Sequence, residues 1–158
     1  MRIYLIKKPV FIRERYEAYD KAKNVRYTAK GKVFSWGKKL RLFDRDGAEC
    51  AFIRQKLPFL RSRFLISRDG TEIAEVVKSA LLLDPAYKVK GLGWWTEEGF
   101  RKKEGSVVYE YRMTDGTNTL MTLHKIRMLR GAAYELDLSP DADEVTLLAV
   151  ALAIAAGF

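Results

Sequence analysis

The sequence predicts a mainly β fold: a closed antiparallel barrel wrapped around one hydrophobic C-terminal helix. Three observations carry this. Short runs of alternating apolar and polar residues fill the first 138 positions, Asp-Gly turns recur between them, and residues 145–158 read VTLLAVALAIAAGF without a charge. Alternation with period two puts one set of side chains on a core face and the other in solvent.

The strands come first. Val25, Tyr27 and Ala29 alternate with Arg26, Thr28 and Lys30, and Leu40 and Leu42 with Lys39 and Arg41. Val107, Tyr109 and Tyr111 alternate with Val108, Glu110 and Arg112, and Tyr134, Leu136 and Leu138 with Glu135 and Asp137. Further strands are expected near 3–6, 15–20, 48–54, 63–67, 72–78, 86–90 and 118–125. The turns Arg45-Asp46-Gly47, Arg68-Asp69-Gly70 and Thr114-Asp115-Gly116 are hairpin signals, because glycine reaches positive φ at little cost. LRLFDRDGAECAFI and RFLISRDGTEIAEV superpose at a spacing of 23 residues and read as consecutive hairpins of a meander. Residues Glu97–Glu104 read as a polar hairpin, with no calcium-loop spacing.

The helix is expected over 141–157. Asp141 with Glu144 three residues later completes a capping-box pattern, and Asp143 and Glu144 suit the positive end of a helix dipole. Beyond Glu144 only Thr146 is polar. A helix apolar on every side must be enclosed on every side. At about 21 Å it falls short of a hydrocarbon core of about 30 Å, so it reads as a buried helix and not as a membrane span. Eight strands leave an interior just filled by side chains, and sixteen or more leave a channel. An intermediate barrel holds one slim helix, as an eleven-stranded can does. Ala149, Ala151, Ala153, Ala155 and Ala156 keep this one slim. One domain over 1–158 follows, with strands to 138 and the helix after.

The chain is 158 residues long, with 48% hydrophobic and 31% charged residues, a globular balance. A single His and a single Cys give neither a disulfide pair nor a Cys/His metal cluster. No signal peptide is read in MRIYLIKKPVFI, whose apolar stretch is interrupted by Lys and Pro. Lone Cys50 fits a reducing cytoplasm, the expected compartment. Charge is uneven: residues 1–68 hold 19 Lys and Arg against 6 Asp and Glu, and residues 69–158 hold 10 against 14. The net +9 is therefore concentrated in the first half, which suggests an acidic partner.

GKVFSWGKKLRLFDRDG, the second Asp-Gly hairpin, YKVKG and YELDLSPDADEVTLLAVALAIAA together resemble the LURP-one-related family. That family includes small bacterial YxjI-like proteins and belongs with the Tubby C-terminal and phospholipid scramblase domains. The resemblance implies a twelve-stranded barrel around a central hydrophobic helix. It also implies phosphoinositide-like head groups as ligands of a basic wall, as in Tubby domains. It carries over no enzyme activity, and the chain lacks the Cys-rich acylation segment and calcium loop of scramblases.

The candidate anion- or lipid-binding residues are Arg26, Lys30, Lys32, Lys39, Arg41, Arg61 and Arg63, which alternation places on outward faces. Lysine supplies a point charge and arginine a fork of donors for phosphate oxygens. Trp36, Trp94 and Trp95 are the conspicuous aromatics. Trp94 and Trp95 follow Gly91-Leu92-Gly93, and one of an extended pair must face out, where it could meet a membrane interface or stack on a base. His124 has no partner for acid–base work and reads as structural, as does Cys50. The expectation is a non-enzymatic module without cofactor or metal that meets anionic lipid. The alternatives are a nucleic-acid binder using the same charge and a protein-interaction barrel.

Overall fold

The computed structural model describes residues 1–8, 13–32, 36–56, 63–79, 87–103, 106–127 and 132–157. Twelve strands precede one helix: β1 Arg2–Lys8, β2 Arg15–Tyr19, β3 Val25–Gly31, β4 Lys39–Asp44, β5 Glu49–Gln55, β6 Arg63–Arg68, β7 Thr71–Lys78, β8 Tyr87–Lys90, β9 Trp94–Lys103, β10 Ser106–Thr114, β11 Thr119–Arg127, β12 Ala132–Leu138 and α1 Glu144–Ala156. Each strand pairs antiparallel with its sequence neighbours, and β1 pairs β12 to close the barrel. Closure leaves no free edge among these strands.

The alternation sets the wall. Leu40 and Leu42 of β4 are buried, and Arg41 between them is exposed. Large and small residues face inward in turn. Tyr16, Ala29, Leu42 and Ala51 lie in register across β2, β3, β4 and β5. The small members leave room for an axial element, which is α1. Residues Thr146–Ala156 of α1 are buried, with Leu147, Leu148, Val150, Leu152 and Ile154 wholly so. Five such side chains each contribute ~1.5–3 kcal/mol on burial. Their sum, on the order of 10 kcal/mol, is comparable with the whole net stability of a domain.

The Asp-Gly turns behave as their chemistry requires. Asp69 and Gly70 both hold positive φ (51° and 76°), the backbone of a two-residue hairpin, and join β6 to β7. Two expectations need correction. Residues 97–103 do not form a hairpin of their own, and Glu104 lies outside the described residues. Residues Trp94–Lys103 form one strand, paired with β10 from Thr114↔Trp95 to Ser106↔Lys103, and Gly99 sits within it opposite Glu110. The ladder to β10 outweighs the local glycine and charge signals. The helix cap is Asp143, not Asp141. Asp143 Oδ2 accepts from the Thr146 backbone N–H (2.8 Å) and hydroxyl (2.6 Å), and the Arg68 guanidinium donates to it at 2.5 Å. Asp141 is exposed, and its backbone N–H turns to Ser139 Oγ.

Burial works against the Asp143 charge, but the Thr146 donors and Arg68 outweigh it, and its pKa lies below the ordinary aspartate value of 3.8. The stability it supplies is therefore complete above that value and is lost as pH falls through the depressed one. Asp143→Ala is expected to cost ~1 kcal/mol at neutral pH. Its denaturation midpoint should also fall less than that of the parent chain on acidification, checked by urea titrations across the acid range.

Candidate functional site

The outward face of β2, β3, β4 and β5 gathers cations. Register decides this. Arg15 of β2 is paired with Lys30 of β3, and Lys30 with Arg41 of β4. One row over, Lys39 of β4 is paired with Arg54 of β5, and the Lys32 backbone N–H donates to the Lys39 carbonyl at 3.0 Å. Directly opposed side chains stand about 5 Å apart at Cβ, and like charges there are destabilising. Acids relieve only the margins: Glu17 lies 3.2 Å from Arg15, and Glu49 lies 2.8 Å from Arg41. Lys30, Lys32, Lys39 and Arg54 make no ion pair with any described residue.

Aromatic rings lie among these cations. The Lys30 ammonium sits 5.5 Å from the Phe43 centroid, and the Arg41 guanidinium 4.6 Å from that of Phe52. Such contacts hold the cations in place without neutralising them. A groove of about 430 Å³ runs beside the patch, lined by Arg41, Phe52 and Ser67 but also by Glu49 and Asp69. Its charge is mixed, so the capacity for anions resides in the four cations without acid partners.

Of the residues singled out from sequence, Lys30, Lys32, Lys39 and Arg41 share this surface. Arg26 does not contribute a free charge. Its guanidinium reaches the end of the barrel and donates to Glu144 Oε1 at 3.1 Å, bracing the first turn of α1. Arg63 shares Glu75 (3.5 Å) with Lys56 (3.9 Å). Arg61 lies outside the described residues. Trp94 is half-buried against the core. Trp95 faces out at 40% exposure, against the Gly116 turn. Period-two reading of β5 about the Asp46-Gly47 turn would have added Arg54. No local signal marks Arg15.

Trp36 is the most exposed tryptophan, at 84%. Two residues later, Lys38 turns inward. Its ammonium donates to the Ala156 carbonyl at the end of α1 (2.6 Å) and lies 3.3 Å from Glu14, which also pairs with Lys7 at 3.0 Å. A cation there satisfies a carbonyl left over by the helix and complements the negative end of its dipole. Beside this cluster the Tyr16 hydroxyl is buried without a hydrogen bond, and burial, with Glu14 nearby, pushes its pKa up.

His124 Nδ1 lies 3.8 Å from Glu110 Oε2 on the outer wall, and the Cys50 thiol donates to the Leu42 carbonyl at 3.3 Å. Burial raises the Cys50 pKa, away from thiolate chemistry. Among the described residues no cluster of His, Cys, Asp and Glu could hold a metal, and no helix is long and apolar enough to cross a membrane.

A closed twelve-stranded meander with a swallowed C-terminal helix defines the class of protein. The family model for LURP-one-related proteins matches residues 1–156, and the chain belongs to that family. It is similar to the uncharacterized protein YxjI of Bacillus subtilis (strain 168), with 25% identity over 154 residues, 98% of this chain and 91% of that relative.

Lys38→Met should free the end of α1 and lower stability by roughly 1–2 kcal/mol, as for a partly exposed charge-assisted hydrogen bond. Chemical denaturation checks this. An unchanged midpoint would show that Lys38 does not hold the helix.

Proposed function

We propose that the protein is a non-enzymatic binding module that recognises anionic lipid head groups, phosphoinositide-like in charge, through the wall formed by β2, β3, β4 and β5. One observation carries the reading: cations face cations across adjacent strands, and Lys30, Lys32, Lys39 and Arg54 make no ion pair with an acid among the described residues. An isolated domain gains nothing from such opposition, whereas a polyanion relieves it. Lysines and arginines close to an anionic surface contribute about 1 kcal/mol each, so four supply about 4 kcal/mol. The shape supports a binding role, because α1 fills the interior and the opposed cations stand on the outer wall. The free Cys50 is in keeping with work on the cytoplasmic side of a membrane.

The nucleic-acid reading is weaker. The rings of Phe43 and Phe52 on this wall are covered by Lys30 and Arg41 and offer no open stacking platform.

Co-sedimentation should show binding to phosphatidylcholine vesicles only when phosphatidylserine or a phosphoinositide is included, and binding should weaken as salt is raised. The combined variant Lys30→Gln, Lys39→Gln, Arg54→Gln is expected to lose on the order of 100-fold in affinity. Equal binding to uncharged vesicles, or an unaffected triple variant, would contradict the proposal. Salt-sensitive retention on RNA or DNA without any lipid binding would replace it with the nucleic-acid reading.

A further inference from the structure

The two ends of the barrel differ in kind. At the end where α1 begins, described turns close the wall: 20–24 between β2 and β3, 44–48 between β4 and β5, 91–93 between β8 and β9, and 115–118 between β10 and β11. This end mixes charges. Asp20, Asp44, Asp46, Asp69 and Asp115 stand among Lys21, Lys23 and Arg45, while Arg26 and Arg68 are taken up by Glu144 and Asp143. Among the described residues the end where α1 stops carries unpaired cations. Lys32 and Lys39 lie at the strand ends there, with Arg54 one step back along β5, while Lys38 and Lys56 are paired with Glu14 and Glu75.

Trp36 belongs to this second end, between β3 and β4. A single exposed apolar residue is ordinary on a protein surface. This one is distinguished by how its chain is held and by what flanks it. Gly37 adopts φ +75°, which a side chain would resist, and turns the backbone after Trp36. The Lys38 backbone N–H then donates to Gln55 Oε1 (3.2 Å), and the Gln55 backbone N–H donates to the Lys38 carbonyl (2.8 Å). The Lys38 ammonium is pinned on the Ala156 carbonyl. The residues after the indole are therefore tied to β5 and to the central helix, while the indole projects into solvent from the connection whose ends, Lys32 and Lys39, are joined by a backbone hydrogen bond.

Tryptophan has an apolar body and one N–H donor, and it favours the head-group level of a bilayer. We propose that the barrel docks end-on: Trp36 enters the interface of an anionic bilayer, Lys32, Lys39 and Arg54 meet its phosphates, and the acid-bearing end with the start of α1 points away. This rests on the lipid-binding reading and adds to it the orientation and the anchoring side chain. Flat attachment through the middle of the wall would instead leave Trp36 in water.

Tryptophan fluorescence of the full chain tests this, using phosphatidylcholine/phosphatidylserine vesicles with and without brominated acyl chains. The expected result is quenching of the parent protein by the brominated vesicles. The quenching should be lost in Trp36→Phe and kept in Trp95→Phe, because Trp95 lies at the other end against Gly116 and Trp94 faces the core. Trp36→Ala should bind several-fold more weakly than the parent while keeping its fold, since the ring touches little of the protein. Binding with equal quenching in the parent and Trp36→Phe would overturn end-on docking and leave the lipid reading standing. Quenching lost in Trp95→Phe instead would reverse the docking end and likewise overturn the proposal. Failure of the parent to bind the anionic vesicles at all would overturn both readings.

Discussion

A helix without a polar face cannot rest on a surface, and the rest of this molecule answers to that constraint. From Thr146 to Ala156 every side chain of α1 is buried. A sheet with two open edges would leave part of it wet. Twelve strands in a closed meander cover it all round, and the alternation of Tyr16, Ala29, Leu42 and Ala51 shapes the space it fills. The alanines of α1 matter for the same reason, since a bulkier helix would overpack the barrel at a cost of ~1–3 kcal/mol per misfit.

At both ends of the enclosed helix the wall supplies polar partners. Arg68 and Arg26 hold Asp143 and Glu144 at the start, and Lys38 holds the Ala156 carbonyl at the finish. Acids at the positive end and a cation at the negative end each complement the helix dipole. The outer surface follows a different logic. Its opposed cations on β2, β3, β4 and β5 do nothing for folding that neutral residues would not do better. They are where the chain departs from its own stability, and a binding function gives that departure a reason.

Local chemistry made much of the fold legible. The Asp-Gly turns, the period-two runs and the uncharged tail are all short-range signals, and the closed barrel follows from asking what could cover such a tail. The misreadings arose where distant partners decide. Glu97 to Lys103 looks like part of a polar hairpin of its own until β10 is laid beside it. Arg26 looks like part of a basic face until Glu144, 118 residues away, claims it. Asp141 and Asp143 both offer a plausible cap, and Arg68 from the β6 end helps select the second. Of the site, Lys30, Lys32, Lys39 and Arg41 were readable from alternation. That one of the adjacent Trp94 and Trp95 faces out was readable from strand alternation, and it is Trp95; that Trp36 is the most exposed of the three was not.

Amide hydrogen exchange along α1 tests the enclosure most directly. If the barrel surrounds the helix, the amides from Leu148 to Ala156 can open only when the barrel does, and their protection should equal that of the most protected amides of β4 and β5. Helix amides that exchange well before those strands would mean that α1 leaves the interior while the wall stays intact, and the account of the fold would not stand.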